Sequence, residues 1–497
     1  MRLSSKIALN TIIHTAGKFG ASAIGLLVVA ILARYLGVEG YGQYTTVFSF
    51  LFFFAVLSDL GLYVVVVNEL KRSRFGEEKF LNNIFTLRLV SATVMMVLAC
   101  GLVWFFPYAS IVRKGVLIAA VSIWLSLLDQ IMVAFFQNRA EMKRVALAEM
   151  VSKVVVLILT MAAIYLKMNL MIVLAVVVVG ALVNTGINFC YLMKLTPIRL
   201  EADRETWKEI FHLAWPVAVT SIFSLIYFKA DTLLLSLLPV SHFYALNNSE
   251  AVGIYGAPYK ILEVLIAWPA IFMGLVSPIL SRKWAEKDEA GFKRVFGRAL
   301  SGLLIIICPM IAGAMILARP LIVLIAGTEF VRSAVILQIL IWATGIIFVS
   351  HLTTYALIAL GKQKKMIGYY VAAAILAVVG YVIFIPRYAY FAAAAITVAV
   401  ELFMLITTAI LLRRSVAVGV EWKIFGKALA ATVAMSAALL ILPAMNVLLL
   451  GVVGAVVYVT VLFLLKGVDG EMVREMMGRR TSSNFQFPNK SQIQNPK

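Results

Sequence analysis

The stretch NLMIVLAVVVVGALVNTGINFCYLM, residues 169–193, contains no charged side chain. A helix that crosses the hydrocarbon core of a bilayer needs about 20 apolar residues in succession, so this stretch predicts a transmembrane helix. Similar runs, bounded by charges, proline or glycine, precede and follow it along the chain. The predicted spans are residues 8–33, 43–67, 85–106, 115–136, 146–166, 169–193, 211–238, 252–279, 299–318, 334–360, 366–385, 389–412, 427–443 and 447–465.

The composition excludes a soluble protein. Of the 497 residues, 63% are hydrophobic and 14% are charged, whereas soluble domains average about 45–50% and about 25%. A soluble chain of this length could not bury so much apolar surface, and the predicted spans account for nearly all of it. The predicted fold class is therefore an all-α polytopic membrane protein with about 14 transmembrane helices.

The basic residues predict the orientation in the membrane. The net charge of +20 does not indicate nucleic-acid binding, because these residues form no compact patch and lie in short loops between spans. Cytoplasmic loops are enriched in Lys and Arg. With the N-terminus inside, only seven of the 44 Lys and Arg residues lie in outer segments. We therefore expect a cell-membrane protein with both termini cytoplasmic and a mostly disordered tail at residues 467–497.

A weak internal repeat divides the chain. The motif VEGYG at residues 38–42 recurs as VGIYG at residues 252–256, an offset of 214, each time after the first span of a half. Parallel repeats of this kind are related by an axis along the membrane normal. The sequence thus predicts an N-terminal lobe (1–199), a C-terminal lobe (200–412) and two further helices (413–466).

Three lysines and two carboxylates fall well within the predicted spans: Lys18, Lys229, Lys260, Asp231 and Glu263. A charge at a helix centre costs at least about 2.5–3.5 kcal/mol, so each needs a partner or water. The repeat offset carries Lys18 to a position beside Lys229 and Asp231, which favours a polar, substrate-binding cavity between the lobes. Two alternatives stay open: Lys18 reaches back to the cytoplasmic interface, or Lys260 forms a purely structural pair with Glu263 on the same helix face.

Four other charges have two interpretations each, and a fifth has one. Asp59, Asp129 and Glu401 fall inside spans, where a carboxylate either binds a proton that drives transport or pairs with a basic neighbour. Arg34, at the outer end of the first span, is either an interfacial anchor or a substrate contact. Arg88, at the inner end of the third span, is interpreted as a cytoplasmic-side charge.

Short motifs between residues 1 and 412 resemble the polysaccharide-repeat-unit flippases of the multidrug/oligosaccharidyl-lipid/polysaccharide exporter superfamily. In chain order they include ARYLGVEGYGQY (33–44), SDLGL (58–62), YFKADTLLL (227–235), AVGIYGAPYKILE (251–263) and AGTEF (326–330). One departure is Tyr388-Ala389-Tyr390, because many members carry glycine after this first tyrosine.

The resemblance implies two pseudo-symmetric six-helix lobes around a central cavity, with two further helices in this chain. It also implies alternating access that moves a polyprenyl-pyrophosphate-linked oligosaccharide from the cytoplasmic to the outer leaflet, for surface polysaccharide or glycan synthesis. Its partners would be the lipid-linked glycan, membrane lipids, and polysaccharide polymerases or glycosyltransferases.

A multidrug or cation antiporter on the same fold is the alternative. Such a carrier would be expected to place an unpaired carboxylate in its first lobe, where span 1 offers Lys18; Asp59 and Asp129 keep this alternative open. An enzyme is not expected, because the outer loops are short and no metal-ligand cluster, nucleophile-base set or phosphate loop is visible. We expect a carrier without a catalytic step, cofactor or metal.

Overall fold

The structure, a computed structural model, describes residues 3–59, 61–71, 73–245, 247–419, 421–442 and 445–467. Within these ranges the chain is helical and contains no β-strand. Short 3-10 helices follow the third and ninth α-helices. The α-helices are α1 (Leu3–Asp59), α2 (Leu62–Glu69), α3 (Glu77–Leu102), α4 (Ser110–Asn138), α5 (Met142–Tyr165), α6 (Leu170–Met193), α7 (Arg204–Leu237), α8 (Asn248–Ala285), α9 (Glu289–Ala326), α10 (Ser333–Ala359), α11 (Gln363–Arg413), α12 (Trp422–Ile441) and α13 (Val447–Leu464).

The predicted 14-helix membrane fold is confirmed. In the described ranges, 11 helices are long and apolar enough to span a bilayer, and α7, with 34 residues, also runs the length of the bundle. Both α1 and α11 contain two passages, because their backbones reverse at Gly37 and Ala389. We call the end of the bundle with these reversals the turn end, and the opposite end, where α13 finishes, the terminus end.

Both reversals have backbone angles that favour glycine. Gly37 has φ 66° and ψ −179°, and Ala389 has φ 47° and ψ −129°; a Cβ at positive φ collides with the main chain. The two arms of α11 then lie against each other, with the hydroxyls of Tyr381 and Thr397 3.1 Å apart. Because Ala389 carries a Cβ at positive φ, this turn contains strained backbone.

Buried apolar clusters hold the helices together. One joins α1, α3 and α4 near the turn end, and another joins α2, α3, α4 and the start of α7 near the terminus end. A third cluster joins α7, α8, α10 and α11, and a fourth joins α8, α9, α10 and α11. Helices α12 and α13 pack on α9. The lobe boundaries remain predictions, because α7 packs on the N-terminal half (residues 3–199) at its start and on both that half and the rest of the C-terminal half (200–413) at its end.

The linker between α6 and α7, residues 194–203, is hydrogen-bonded to α3, and these bonds fix where α7 starts. The side-chain oxygen of Asn82 accepts a hydrogen bond from the Arg199 amide. That of Asn83 accepts one from the Asp203 amide at 2.7 Å. Asp203 caps α7 by accepting from the amide and hydroxyl of Thr206. These hydrogen bonds hold the pKa of Asp203 below its usual value.

Two helices extend well beyond the apolar runs that predicted them. Helices α8 and α9 have 38 residues each, about 57 Å at 1.5 Å per residue, which exceeds a hydrocarbon core of about 30 Å. The protruding start of α9 is polar, and Lys293 pairs there with Glu289 at 2.8 Å. Arg319, predicted to lie in an outer loop, is instead within α9.

Candidate functional site

The two copies of the repeated motif meet at the turn end, where the halves touch through their main chains. A Cβ added to Gly42 on α1 would lie 1.7 Å from the carbonyl oxygen of Ser249 on α8. Likewise, a Cβ added to Gly253 would lie 2.0 Å from the carbonyl oxygen of Val38. Only glycine fits such an approach, so the halves are closed against each other at this end.

Three charged side chains of α7 and α8 lie together between the halves. Lys229 forms an ion pair with Glu263, and the Nζ of Lys260 lies 2.7 Å from the other carboxylate oxygen of Glu263. The Lys229 ammonium also lies 4.6 Å from the ring centroid of Tyr259 and 5.7 Å from that of Phe52. Because Phe52 belongs to the N-terminal half, Lys229 contacts both halves.

Lys153 on α5 faces these residues from the N-terminal half. It interacts electrostatically with Lys260 and with Glu149, one turn earlier on α5. Lys153 is 12 residues from the end of α5 and Lys260 is 12 residues from the start of α8, so both lie about 18 Å from the turn end. We call Glu149, Lys153, Lys229, Lys260 and Glu263 the lysine cluster.

Lys153 was not among the residues predicted for this site. Its position, seven residues inside the apolar run 146–166, is the signal that identifies it as an intramembrane charge. A count of positive charges by loop assigns it to the preceding loop instead.

Asp231 belongs to a buried hydroxyl network beside the cluster. The hydroxyl of Tyr255 donates to Asp231 Oδ2 at 2.6 Å and lies 3.3 Å from the hydroxyl of Thr397. Tyr381 reaches the same threonine hydroxyl. Lys229 and Asp231 thus have separate partners, as their spacing of two residues requires, and the network joins α7, α8 and both arms of α11.

Asp59 pairs with Arg88 inside the N-terminal half. Arg88 Nη2 lies 2.8 Å from Asp59 Oδ1, and the Arg88 side chain is 0% exposed. Arg88 also donates to the carbonyl oxygens of Leu127 and Ser58. Arg88 is therefore a buried partner of Asp59 and not an exposed charge at the membrane surface, while its membrane side stays a prediction. Of the two readings of Asp59, pairing with a basic neighbour is the one observed.

Asp129 is a buried carboxylate held by amides. Asn184 and Asn188 on α6 each donate to one of its oxygens at 2.8 Å, and Asp129 is 7% exposed. The amide oxygens of both asparagines are buried without a hydrogen-bond partner in the described part of the chain. Glu401, on the second arm of α11, is also buried.

Of the remaining two predicted residues, the Lys18 side chain is not described and Arg34 lies away from the lysine cluster. The side chain of Lys18 is outside the described residues, although its backbone belongs to α1. Arg34 donates to the carbonyl oxygens of Val323 and Leu324 near the end of α9. Because the last carbonyls of a helix carry partial negative charge, Arg34 joins α1 to α9 at the turn end, a geometry that fits the anchor reading.

The sequence profile of the polysaccharide biosynthesis protein family matches residues 7–284, more than half of the chain. The chain belongs to this family. The match includes the residues of the lysine cluster and the glycine contact at the turn end.

The solved structures similar to this polysaccharide biosynthesis protein are membrane transporters. Lipid II flippase MurJ in an inward closed conformation aligns with a TM-score of 0.74 and 14% identity, covering 94% of this chain and 100% of MurJ. An inward-facing MATE family multidrug resistance transporter aligns at 0.66 with 13% identity, over 82% and 98%. A MOP superfamily transporter from Pyrococcus furiosus aligns at 0.58 with 12% identity, over 82% and 95%. These likenesses show the fold, and no curated protein matches in sequence.

The lysine cluster gives this polysaccharide biosynthesis protein a site suited to anions. The cluster contains three ammonium groups and two carboxylates, and the carboxylate of Asp231, which also interacts electrostatically with Lys229, lies beside it. Charges interact strongly in a medium of low dielectric constant, so the three ammonium groups offer an anion favourable partners between the halves. Lysine ammonium groups are compact point charges that bind phosphate.

Proposed function

We propose that this protein is a flippase that moves a polyprenyl-pyrophosphate-linked oligosaccharide from the cytoplasmic to the outer leaflet, for surface polysaccharide or glycan synthesis. The lysine cluster is the observation that carries the proposal, because it brings three ammonium groups together between the halves. Family membership and the fold shared with a lipid II flippase support a lipid-linked substrate.

Electrostatics supports pyrophosphate as the group that the cluster recognises. An unneutralised charge within the membrane is costly, and the lysines of the cluster would shield the charge of a bound pyrophosphate. A membrane potential that is negative inside favours outward movement of an anion by about 2.3 kcal/mol per charge per 100 mV. We expect this potential to assist the step that carries the substrate outward.

Alternating access would follow from separation of the halves at the turn end. The glycine contact holds them together there, and in the proposed orientation, with both termini cytoplasmic, the turn end faces outward. The structure then corresponds to a state closed to the outside, and separation of Gly42 from Ser249 opens the path to the outer leaflet.

The proposed role includes no catalytic step. Glycosyltransferases in the same membrane would supply the lipid-linked oligosaccharide, and a polymerase would use it after translocation. The protein itself would bind, carry and release the substrate.

A cation antiporter is the second candidate, favoured by the Asp129 site. This carboxylate is buried and no described basic side chain forms an ion pair with it, which is the setting in which a carboxylate binds a proton or a cation. An antiporter would use Asp129 where the flippase uses the lysine cluster.

The test uses purified protein in proteoliposomes that contain a fluorescent polyprenyl-pyrophosphate oligosaccharide. Reactivity toward an external quencher measures its movement between leaflets, and we expect the protein to accelerate it. Lys229→Ala and Lys260→Ala should each weaken substrate binding about 10- to 100-fold, because a hydrogen bond to a charged group contributes about 1.5–3 kcal/mol. Arg319→Ala and Arg387→Ala, at exposed positions near the turn end, are the matched controls.

Two results would contradict the flippase. Equal losses in the lysine and arginine variants, with normal expression, would remove the cluster from the binding site. Efflux of a cationic dye driven by a proton or sodium gradient, abolished by Asp129→Asn and unaffected by Lys260→Ala, would instead support the antiporter.

A further inference from the structure

We propose that a pocket between α1, α7 and α11 binds the first part of the prenyl chain of the lipid-linked substrate while its pyrophosphate lies at the lysine cluster. This inference rests on the proposed function and adds the position at which the chain leaves the protein. The pocket has a volume of about 300 Å³, and its lining includes Phe52 and Phe53 of α1, Leu233 and Leu234 of α7, and Val378 of α11.

Lys229 connects the pocket to the lysine cluster. It is among the residues that line the pocket, while its ammonium pairs with Glu263 and lies over the rings of Phe52 and Tyr259. A lysine stem packs on apolar surface while its charged end reaches a polar partner. One side chain therefore faces an apolar cavity and an anion site together, which is the chemistry of a phosphate esterified to a hydrocarbon chain.

The position of the pocket suits a chain that stays in the bilayer. A head group that passes between the halves remains bonded to its prenyl chain, and removal of that apolar chain from the bilayer into water would be unfavourable. The chain must therefore leave through a seam between the halves. One wall of the pocket comes from the N-terminal half and the other from the C-terminal half.

The seam lies at mid-depth and next to the lipid-facing surface. Val378 is 11 residues before the reversal at Ala389, about 16 Å along the helix, near the middle of a core about 30 Å thick. On the same helix, Ile375 and Val379 are 59% and 49% exposed, so the pocket borders the surface that contacts lipid tails.

A second pocket, of about 510 Å³ between α9 and α13, lacks this connection. It is lined by apolar residues and Tyr458, with no charged side chain, so nothing in it binds a head group. The seam pocket, with Lys229 at its wall, is the one that matches a lipid phosphate.

The experiment compares two ligands that share a pyrophosphate-linked disaccharide, one on a long prenyl chain and one on a butyl group. Their affinities are measured in nanodiscs for the wild type, Val378→Trp and Val379→Trp. The indole of Val378→Trp fills the pocket, whereas that of its neighbour Val379→Trp points to the exposed face. We expect Val378→Trp to weaken binding of the long-chain ligand about tenfold, equivalent to about two buried methylenes, and to leave the butyl ligand unchanged.

Lys229→Ala provides the contrasting pattern, because it should weaken both ligands. If Val378→Trp does not fold, Ser49→Phe, on the opposite wall of the pocket, serves in its place. A prenyl ligand with a diazirine on its first isoprene unit should also crosslink to Phe52 or Phe53.

The outcomes separate the two proposals. Failure of the wild type to bind either ligand would overturn the proposed function and this inference with it. Binding of both ligands that Val378→Trp leaves unchanged, or weakens equally, would overturn the inference alone. Equal crosslinking of the pocket by a diazirine phosphatidylglycerol would also overturn it, since the pocket would then bind bulk lipid.

Discussion

Replacing Gly42 by alanine should open the turn end by a predictable amount. The added Cβ would lie 1.7 Å from the carbonyl oxygen of Ser249, whereas ordinary contact begins at 3.4 Å, so the two main chains must separate by about 1.7 Å to relieve the overlap. Overpacking of this kind costs about 1–3 kcal/mol. Because only the closed state contains the contact, the equilibrium should shift toward the open state by about 5- to 150-fold.

Crosslinking across the same interface measures this shift. Glu39 and Asn247 form a hydrogen bond of 3.3 Å between the halves, so cysteines at these positions, in a variant without the native cysteines, react with a short bifunctional reagent when the turn end is closed. Gly42→Ala should slow this reaction. Gly25→Ala, on the same helix with no atom within 4 Å of the added Cβ, should not.

Crosslinking as fast in Gly42→Ala as in Gly25→Ala would refute this account of the gate. So would a Gly42→Ala protein that loses thermal stability and yet stays fully closed, since the overlap would then be absorbed within one half.

Two further substitutions test the fold by thermal unfolding in detergent. Ala389→Gly should raise the unfolding midpoint temperature by the equivalent of about 1 kcal/mol, because it removes strain at φ 47°. Ala392→Gly, in regular helix, should lower this temperature. A lower midpoint for both variants would show that Ala389 is unstrained. Arg88→Met should lower the free energy of unfolding by about 3–5 kcal/mol, because it leaves Asp59 unpaired in the interior. Arg74→Met removes an ion pair of a 68% exposed arginine and should lower it by less than about 1 kcal/mol. Similar losses in the two variants would contradict a stabilising role for the Arg88–Asp59 pair.

The number and order of the membrane passages could be read from the sequence, because a hydrocarbon core imposes one requirement on every span. The ends of α8 and α9 could not, since a helix outside the core needs no apolar run and is continued by pairs such as Glu289 and Lys293. The reversals were predicted as loops, but a single residue in each, Gly37 or Ala389, turns the chain between two helices.

Part of the candidate site could also be predicted from the sequence. Lys229, Lys260 and Glu263 were predicted because a charge within an apolar run is conspicuous, and the structure brings the three together. Lys153 was missed because it lies near enough to a basic loop to be counted with it. The ion pair of Arg88 was missed because its partner, Asp59, is distant in sequence, and no local pattern indicates such a pair.

The two amide side chains that bind Asp129 were not predicted, for a related reason. Asn184 and Asn188 look like ordinary polar residues of an apolar run, and only the packing of α6 on α4 shows that they hold Asp129. Spacing along one helix identifies a shared face, but it does not identify the helix that will be its neighbour.

The contact between Gly42 and Ser249 at the turn end joins peptide groups rather than side chains. If the protein is the proposed flippase, this contact is independent of the side chains that line the substrate path, so substitutions that adapt the protein to a different sugar would leave the closed contact intact. Evolution could then alter substrate preference without changing the gate. Gly42 and Gly253 are excluded from that freedom, because any side chain there would strike the opposing main chain.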